Sequence, residues 1–519
     1  MSPRAPRAPR APGVLGSTVA NWAAFAVTAV VGFLLSPFIV HRLGNSAYGT
    51  WVLLGSLVGY LGLLDFGVRG AVTRFVANQH AAGDHRGASA TVAAALRLFA
   101  ALSLLTIVVA GLLAAVLGDL FNIPADLLEE ARLVVLLGGA TIATAFVGGV
   151  FGGIVAGLHR FDLDGAVEIA ITLLRAAAVI VALQAGYGLV GLSVIQLALS
   201  LLRGGLAFLL ARRLYPELSF RGVGPTAHAI RQLLSFSLFS SLIQLSAMII
   251  YYADAIVIAA FLPVSVVTYY AIAASLADYA RQVVAAIGRV ITPRTSAALA
   301  TGGIDAVRAV VLSVGPVATL VTVPMALTFL LRGERFLDLW MGSAYAPLAS
   351  RVLLVLAVPV WMVGGRLVAT TTGLGINRHQ PLAIAIALEA IANLALSLIL
   401  IRPLGLVGVA LGMAIPTTIV NLAFIPRYLE RQVGIPRLEF VTRVWAWPSV
   451  ACTAFGIATY AVERFVGADS LLVFFLQVAV LLPLVLVGAA FVVFPRVERQ
   501  RLAALAKQRF VALLHTAAP

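Results

Sequence analysis

Apolar runs of about 20 residues, separated by short polar links, recur along almost the whole chain. A run of that length crosses a bilayer as a helix. Two of these runs, residues 236–261 and 266–290, are separated only by Leu262-Pro263-Val264-Ser265. The first carries Asp254 near its middle, and the second carries Asp278, Arg281 and Arg289. A charge at the centre of a membrane helix costs on the order of 2.5–3.5 kcal/mol, so such residues face a protein interior or a wet cavity. Helical spacing puts Asp278, Arg281, Gln282, Ala285 and Arg289 on one face. The pattern predicts a membrane hairpin whose second arm bears a polar stripe.

Read in the same way, the chain holds fourteen spans. Spans 1 to 6 are 14–40, 47–68, 91–117, 133–157, 165–184 and 189–211; the hairpin supplies spans 7 and 8. Spans 9 to 14 are 304–331, 346–372, 381–401, 406–425, 444–460 and 471–494. The expected class is all-α, a polytopic membrane protein. Arginine distribution tests the count. With the N-terminus inside, inner segments collect 22 of the 36 Arg and Lys and outer loops collect 6; the other eight, Arg175 and Arg203 among them, fall inside spans. One miscounted span would mix the two classes, so the bias predicts that both termini are cytoplasmic.

Composition agrees: 61% of residues are hydrophobic and 11% charged. Soluble domains are nearer half apolar and a quarter charged. The formal charge of +15 would suggest nucleic acid on a soluble chain. Here the excess belongs to membrane topology, and no nucleic-acid partner is implied. Residues 1–13 form a basic tail with Pro-Arg-Ala repeated, and the apolar run behind it is too long for the core of a cleaved signal peptide. Cys452 is the single cysteine, which excludes an internal disulfide and a thiol metal site. Asp162 and Asp164 beside His159 read as loop residues, and no metal or cofactor is expected.

An internal repeat refines the plan. Ser56-Leu57-Val58-Gly59-Tyr60 is echoed by Ser275-Leu276-Ala277-Asp278-Tyr279, 219 positions on. Gly188-Leu189-Val190-Gly191 recurs as Gly405-Leu406-Val407-Gly408 after 217, and Arg160 and Arg378 are 218 apart. A common offset predicts two copies of a six-span unit. Six is even, so the copies share one orientation and are related by a pseudo-twofold along the membrane normal. The expected organisation is a tail (1–13), an N-lobe (14–211), a cytoplasmic linker (212–232), a C-lobe (233–428), two extra spans (429–494) and a basic cytoplasmic tail (495–519). This is a transporter plan, with a site near the midplane.

Leu43-Gly44-Asn45-Ser46-Ala47-Tyr48-Gly49-Thr50-Trp51, continued by Leu64-Asp65-Phe66-Gly67 and Arg74-Phe75-Val76, resembles the N-terminal signature of polysaccharide-export flippases. So does Gly157-Leu158-His159-Arg160-Phe161-Asp162. Asp254 with Tyr270-Ala271-Ile272-Ala273 and Pro293 is similar to the start of that family's second half. The family is the polysaccharide biosynthesis and O-antigen flippase branch of the multidrug/oligosaccharidyl-lipid/polysaccharide exporter superfamily. The resemblance implies translocation of an undecaprenyl-pyrophosphate-linked oligosaccharide across a bacterial inner membrane, through a cavity lined by cationic residues. It implies no strict catalytic motif.

A lipid-linked sugar needs help only with its head. Each hydroxyl stripped of water without a partner costs roughly 4–8 kcal/mol in hydrocarbon. Arginine suits the pyrophosphate because its planar fork donates bidentately and stays charged. The candidates are Arg175, Arg281, Arg289 and Arg366, with Asn21, Gln244 and Asn393 for the sugar. Asp254, Asp278 and Glu389 are expected either to neutralise these arginines or to bind a coupling proton or sodium. Arg289 and Arg366 also suit snorkelling, and Arg203 suits it better. Partners are then the lipid-linked substrate and membrane lipids. Three rivals remain. A cation antiporter of the same superfamily would need an acidic or aromatic cavity. A peptidoglycan-precursor flippase meets a similar head-group problem. An enzyme acting on lipid-linked sugars would carry a larger outer loop than these spans leave.

Overall fold

A computed structural model describes residues 14–65, 67–218 and 238–493; within these, the side chains of 14–22, 238–244, 286, 287, 289, 290 and 490 fall outside the description. All regular structure among the described residues is helical. Hydrocarbon offers backbone groups no water, so a helix that satisfies its own N–H and C=O groups is the natural solution. Among the described residues, nine helices are long and apolar enough to cross a membrane. Three of them are far longer than one crossing: 59, 51 and 54 residues. Each contains a glycine in a backbone region open to few other residues, Gly44 (φ 76°), Gly303 (φ 66°) and Gly405 (φ 56°). These glycines lie in the predicted links. Divided there, and with the shorter pieces counted, the described helices form the fourteen apolar segments read from the sequence.

The chain forms two compact units. The first comprises residues 1–271 and 401–406; the second comprises 272–400 and 407–519. In the first, α1 (Val14–Leu61) holds spans 1 and 2, and α2 (Val68–Ala81) is a short helix behind them. Then come α3 (His85–Leu120), α4 (Ala125–Gly157), α5 (Phe161–Gln184), α6 (Leu189–Leu214) and α7 (Leu238–Phe261). The core lies where α4 runs between α2, α3 and α6, with Val72, Val76, Phe99, Phe146, Val150 and Ile154 buried. Phe99 stacks on Phe146 at 5.2 Å. Small residues let these backbones approach: a Cβ on Gly148 would lie 2.8 Å from the Gly204 Cα. Elsewhere the bilayer takes the place of a core, and Leu104, Leu112 and Val181 stay exposed. At the Gly44 turn, Thr268 Oγ1 donates to the Asn45 carbonyl at 2.7 Å, and Asn45 Nδ2 donates to the Tyr269 hydroxyl at 3.1 Å. The two signature segments of this unit thus hold each other.

The second unit takes most of α8 (Ser265–Met341), then α9 (Ala346–Gly375), α10 (Gln380–Ile419) and a π-helical turn, Val420–Phe424. After α11 (Ile425–Val433) and α12 (Arg437–Phe440), a second π-helical turn, Val441–Ala446, leads into α13 (Trp447–Ala451) and α14 (Thr453–Phe465). The last described helices are α15 (Leu471–Leu481) and α16 (Pro483–Val492). Its core gathers Val311, Val368, Leu382, Tyr428, Leu429 and Trp445. A satellite cluster of Val323, Cys452, Phe455 and Val485 joins the last spans to α8.

The predicted span 9 stops at 331, but the helix does not: Arg332, Glu334, Arg335 and Asp338, which fall between spans 9 and 10, are helical, because α8 continues to Met341. Arg332 is 1% exposed. Its Nε donates to Glu463 at 2.6 Å, its Nη2 donates to Gln477 at 2.6 Å, and its guanidinium lies 4.3 Å from the Phe474 ring centroid. This knot ties the two extra spans to the rest of their unit.

Candidate functional site

The first unit carries a polar track on α5. Asp164, Glu168, Ile171, Arg175, Val179 and Ala182 follow one another at three- or four-residue steps and share one helical face. Ile171, Val179 and Ala182 are buried there, whereas Leu173, Leu174 and Val181 on the far side are exposed. The buried face meets α1: Val179 and Leu183 pack beside Leu35, Phe38 and Ile39, and the Thr28 and Thr172 hydroxyls are 3.4 Å apart. Arg175 sits in the middle of that face and is nevertheless exposed. It forms no ion pair among the described residues.

About 10 Å back along the same face, at 1.5 Å per residue, Glu168 and Asp164 meet α6. Arg203 Nη1 pairs with Glu168, and Nη2 lies 3.8 Å from Asp164. Arg203, which the sequence suited to snorkelling, turns instead to two carboxylates. The signal that finds it is the i, i+4 spacing of Asp164 and Glu168, which marks an acidic stripe at the start of span 5. A cavity of about 180 Å³ opens beside this cluster, lined by Arg69, Gly148, Gly149, Gly152, Asp164, Ser200 and Arg203 among others. Arg69 directly follows span 2 in the sequence, and nothing in its spacing ties it to span 6.

The unit's other candidate is Asp254. It is 4% exposed and accepts a hydrogen bond from the Tyr270 hydroxyl. The side chains of Asn21 and Gln244 lie outside the described residues.

In the second unit, Arg366 on α9 reaches Glu389 on α10, with Nη1 2.6 Å from Oε1. Thr417 Oγ1 donates to the same oxygen at 2.7 Å, and Asn421 Nδ2 donates to the Thr417 carbonyl at 2.8 Å. The Glu389 side chain is 1% exposed and that of Arg366 18%. Oε2 of Glu389 has no partner among the described residues. A carboxylate so placed needs its arginine, since breaking a buried pair costs about 3–5 kcal/mol. Asn393 is 1% exposed and accepts from Ser397 Oγ at 3.3 Å. Arg281 pairs with Asp278 one turn earlier, its Nε 3.1 Å from Oδ1. The side chain of Arg289 lies outside the described residues.

Two further openings adjoin Arg332. One, of about 630 Å³, is lined by Arg332, Glu334, Arg335, Asp338, Arg351 and Glu463 among others. The other is an apolar groove of about 880 Å³ between α8 and the last spans, lined by Leu320, Pro324, Phe455, Phe474, Val478 and Leu482 among others. Phe329 borders both.

The fold has close counterparts. A lipid II flippase, MurJ, in an inward closed conformation aligns with a TM-score of 0.67 at 12% identity, covering 92% of this chain and 98% of that one. An inward-facing multidrug resistance MATE family transporter of the MOP superfamily aligns with a TM-score of 0.64 at 18% identity, covering 80% and 98%. In sequence, the chain is 23% identical over 491 residues to EpsK of Bacillus subtilis (strain 168), described as an uncharacterised membrane protein, covering 86% of this chain and 94% of EpsK. The profile of the polysaccharide biosynthesis protein family matches residues 15–299, more than half of the chain. An all-helical, many-span membrane chain with this profile belongs to the polysaccharide biosynthesis protein family.

Proposed function

We propose that this protein is a flippase that moves a polyprenyl-pyrophosphate-linked oligosaccharide across a bacterial inner membrane for cell-surface polysaccharide synthesis. The observation that carries the reading is Arg175: an exposed guanidinium, free of carboxylates, in the middle of the packed face of a membrane helix. Such a group is costly to keep there. A ligand that brings its own negative charge recovers that cost, and a pyrophosphate does so bidentately. Arg366 and Arg281 are half-buried and already paired, so they suit a second role, exchanging a carboxylate for a phosphate during transit. The apolar groove along α8 suits a polyprenyl tail, and the charged opening beside it suits the polar end of the same molecule.

The protein then works by alternating access, showing its arginine-bearing faces first to the cytoplasm and then to the outside, with both termini cytoplasmic. Multidrug export is the weaker reading, because the buried acids Asp254 and Glu389 are engaged by Tyr270 and Arg366 rather than open to an organic cation. The fold match to a lipid II flippase makes a peptidoglycan precursor the second substrate to test.

The test uses cells deleted for the chromosomal copy. Loss of surface glycan, with lipid-linked glycan accumulating in the inner leaflet, and rescue by wild type but not by Arg175→Gln at equal membrane abundance, is the expected result. Normal surface glycan in the deletion strain would refute it. Proteoliposomes offered a lipid-linked oligosaccharide and a peptidoglycan precursor in parallel separate the two substrates.

A further inference from the structure

The cavity beside Arg203 belongs to the first unit alone and is lined by two guanidinium groups. Their surroundings differ. Arg203 is committed to Asp164 and Glu168. Arg69 has Asp65 one turn before it, whose Oδ1 accepts from the Arg69 backbone N–H at 3.4 Å, but its guanidinium makes no ion pair within 4 Å among the described residues and lies along a glycine face of α4, where a Cβ on Gly152 would be 3.4 Å from its Nη2. The glycines at 149 and 152 leave room beside the guanidinium that side chains would otherwise fill. Ser200, its hydroxyl 3.0 Å from that of Thr144, adds a hydroxyl to the wall. Within the cavity lining, the two arginines outnumber the one carboxylate, Asp164, while Glu168 and Asp65 lie just outside it against Arg203 and Arg69.

We propose that this cavity is a binding site for one phosphate group, held by Arg69 with Arg203 in support. Arg69 donates through its open guanidinium edge, and Arg203 stays anchored by its carboxylates so that its remaining N–H groups point in a fixed direction. The ligand class is a phosphate ester or diphosphate. It has two sources, the phosphate of a lipid head group and a free phosphate in solution. Placed on the acidic-to-basic track of α5, the site would hold the phosphate before it reaches Arg175, a step that rests on the flippase reading; the binding itself does not.

The experiment uses the full chain purified in nanodiscs. Saturable binding is measured for inorganic pyrophosphate, for a short-chain polyprenyl diphosphate, and for phosphatidylglycerol exchanged into the disc. Two variants attack the site in different ways. Arg69→Gln removes the charge of an exposed side chain. Gly149→Leu fills the cavity, and Gly149→Ala, whose Cβ makes only an ordinary 3.7 Å contact with Arg69 Cδ, controls for folding. At least one probe is expected to bind at one site per chain, weakened tenfold or more by Arg69→Gln and by Gly149→Leu but not by Gly149→Ala. The probe that binds identifies the source. No saturable binding of any probe, or binding unchanged in both Arg69→Gln and Gly149→Leu, overturns the proposal. The failure is distinguishable from that of the flippase reading, because glycan export in the deletion strain is scored separately.

Discussion

Arg175 and Arg332 are both arginines in apolar helices, and the protein treats them in opposite ways. Arg332 is sealed: a carboxylate, an amide and an aromatic face surround it, and its side chain is wholly buried. Arg175 has none of these and is exposed on a face where Ile171, Val179 and Ala182 are buried. The bilayer penalises either charge unless something partners it. For Arg332 that partner is the protein itself, which makes it a fastening. For Arg175 the described residues supply no such partner, and the flippase reading proposed above assigns that part to the substrate. Burial and ion pairing thus distinguish the two arginines, and the proposal is that the distinction is one between fastening and function.

The contrast can be broken by mutation. The largest loss of stability is expected from Arg332→Leu, which leaves Glu463 and Gln477 without their donor: about 3–5 kcal/mol, seen as a lower unfolding temperature in detergent. The double variant Arg332→Leu with Glu463→Leu should recover part of it. If Arg332→Leu alone unfolds like wild type, the fastening role is wrong. Next comes Arg366→Gln, at roughly 3 kcal/mol, because Glu389 keeps only Thr417; thermal unfolding of Arg366→Gln beside Glu389→Gln tests whether the arginine or the acid is the costly survivor. Gly148→Leu, which drives a side chain against Gly204, should cost about 1–3 kcal/mol by overpacking, again read from unfolding. Arg175→Gln should be the mildest, within about 0.5 kcal/mol of wild type, yet it should abolish surface glycan. A destabilised Arg175→Gln would show that Arg175, too, is a fastening.

Much of the fold was legible in the hydropathy of the chain. Apolar runs gave the spans because a bilayer demands length and self-satisfied backbones, and both are written in one dimension. The helix breaks at Gly44, Gly303 and Gly405 fell in links the runs had already marked. The end of span 9 did not. Arg332, Glu334, Arg335 and Asp338 look like a loop by polarity, and only neighbours from spans 13 and 14 make a helix of them. The same holds for the site. Arg175 stood out because no acid lies within a turn of it. Arg203 is marked only by the acidic stripe of Asp164 and Glu168, and Arg69 by nothing, since its place beside Arg203 depends on how α2 and α6 pack on α4, and a sequence carries no record of that packing.

The turns at Gly44, Gly303 and Gly405 have a practical consequence. Each connects two membrane crossings through one residue with a positive φ, in space where an added Cβ would meet nothing within 4 Å. There is no slack for a protease to grip or for an inserted epitope to occupy, so topology mapping by tag insertion should fail at these three ends even though they are unobstructed. Small thiol reagents on a cysteine placed one residue away are the better tool.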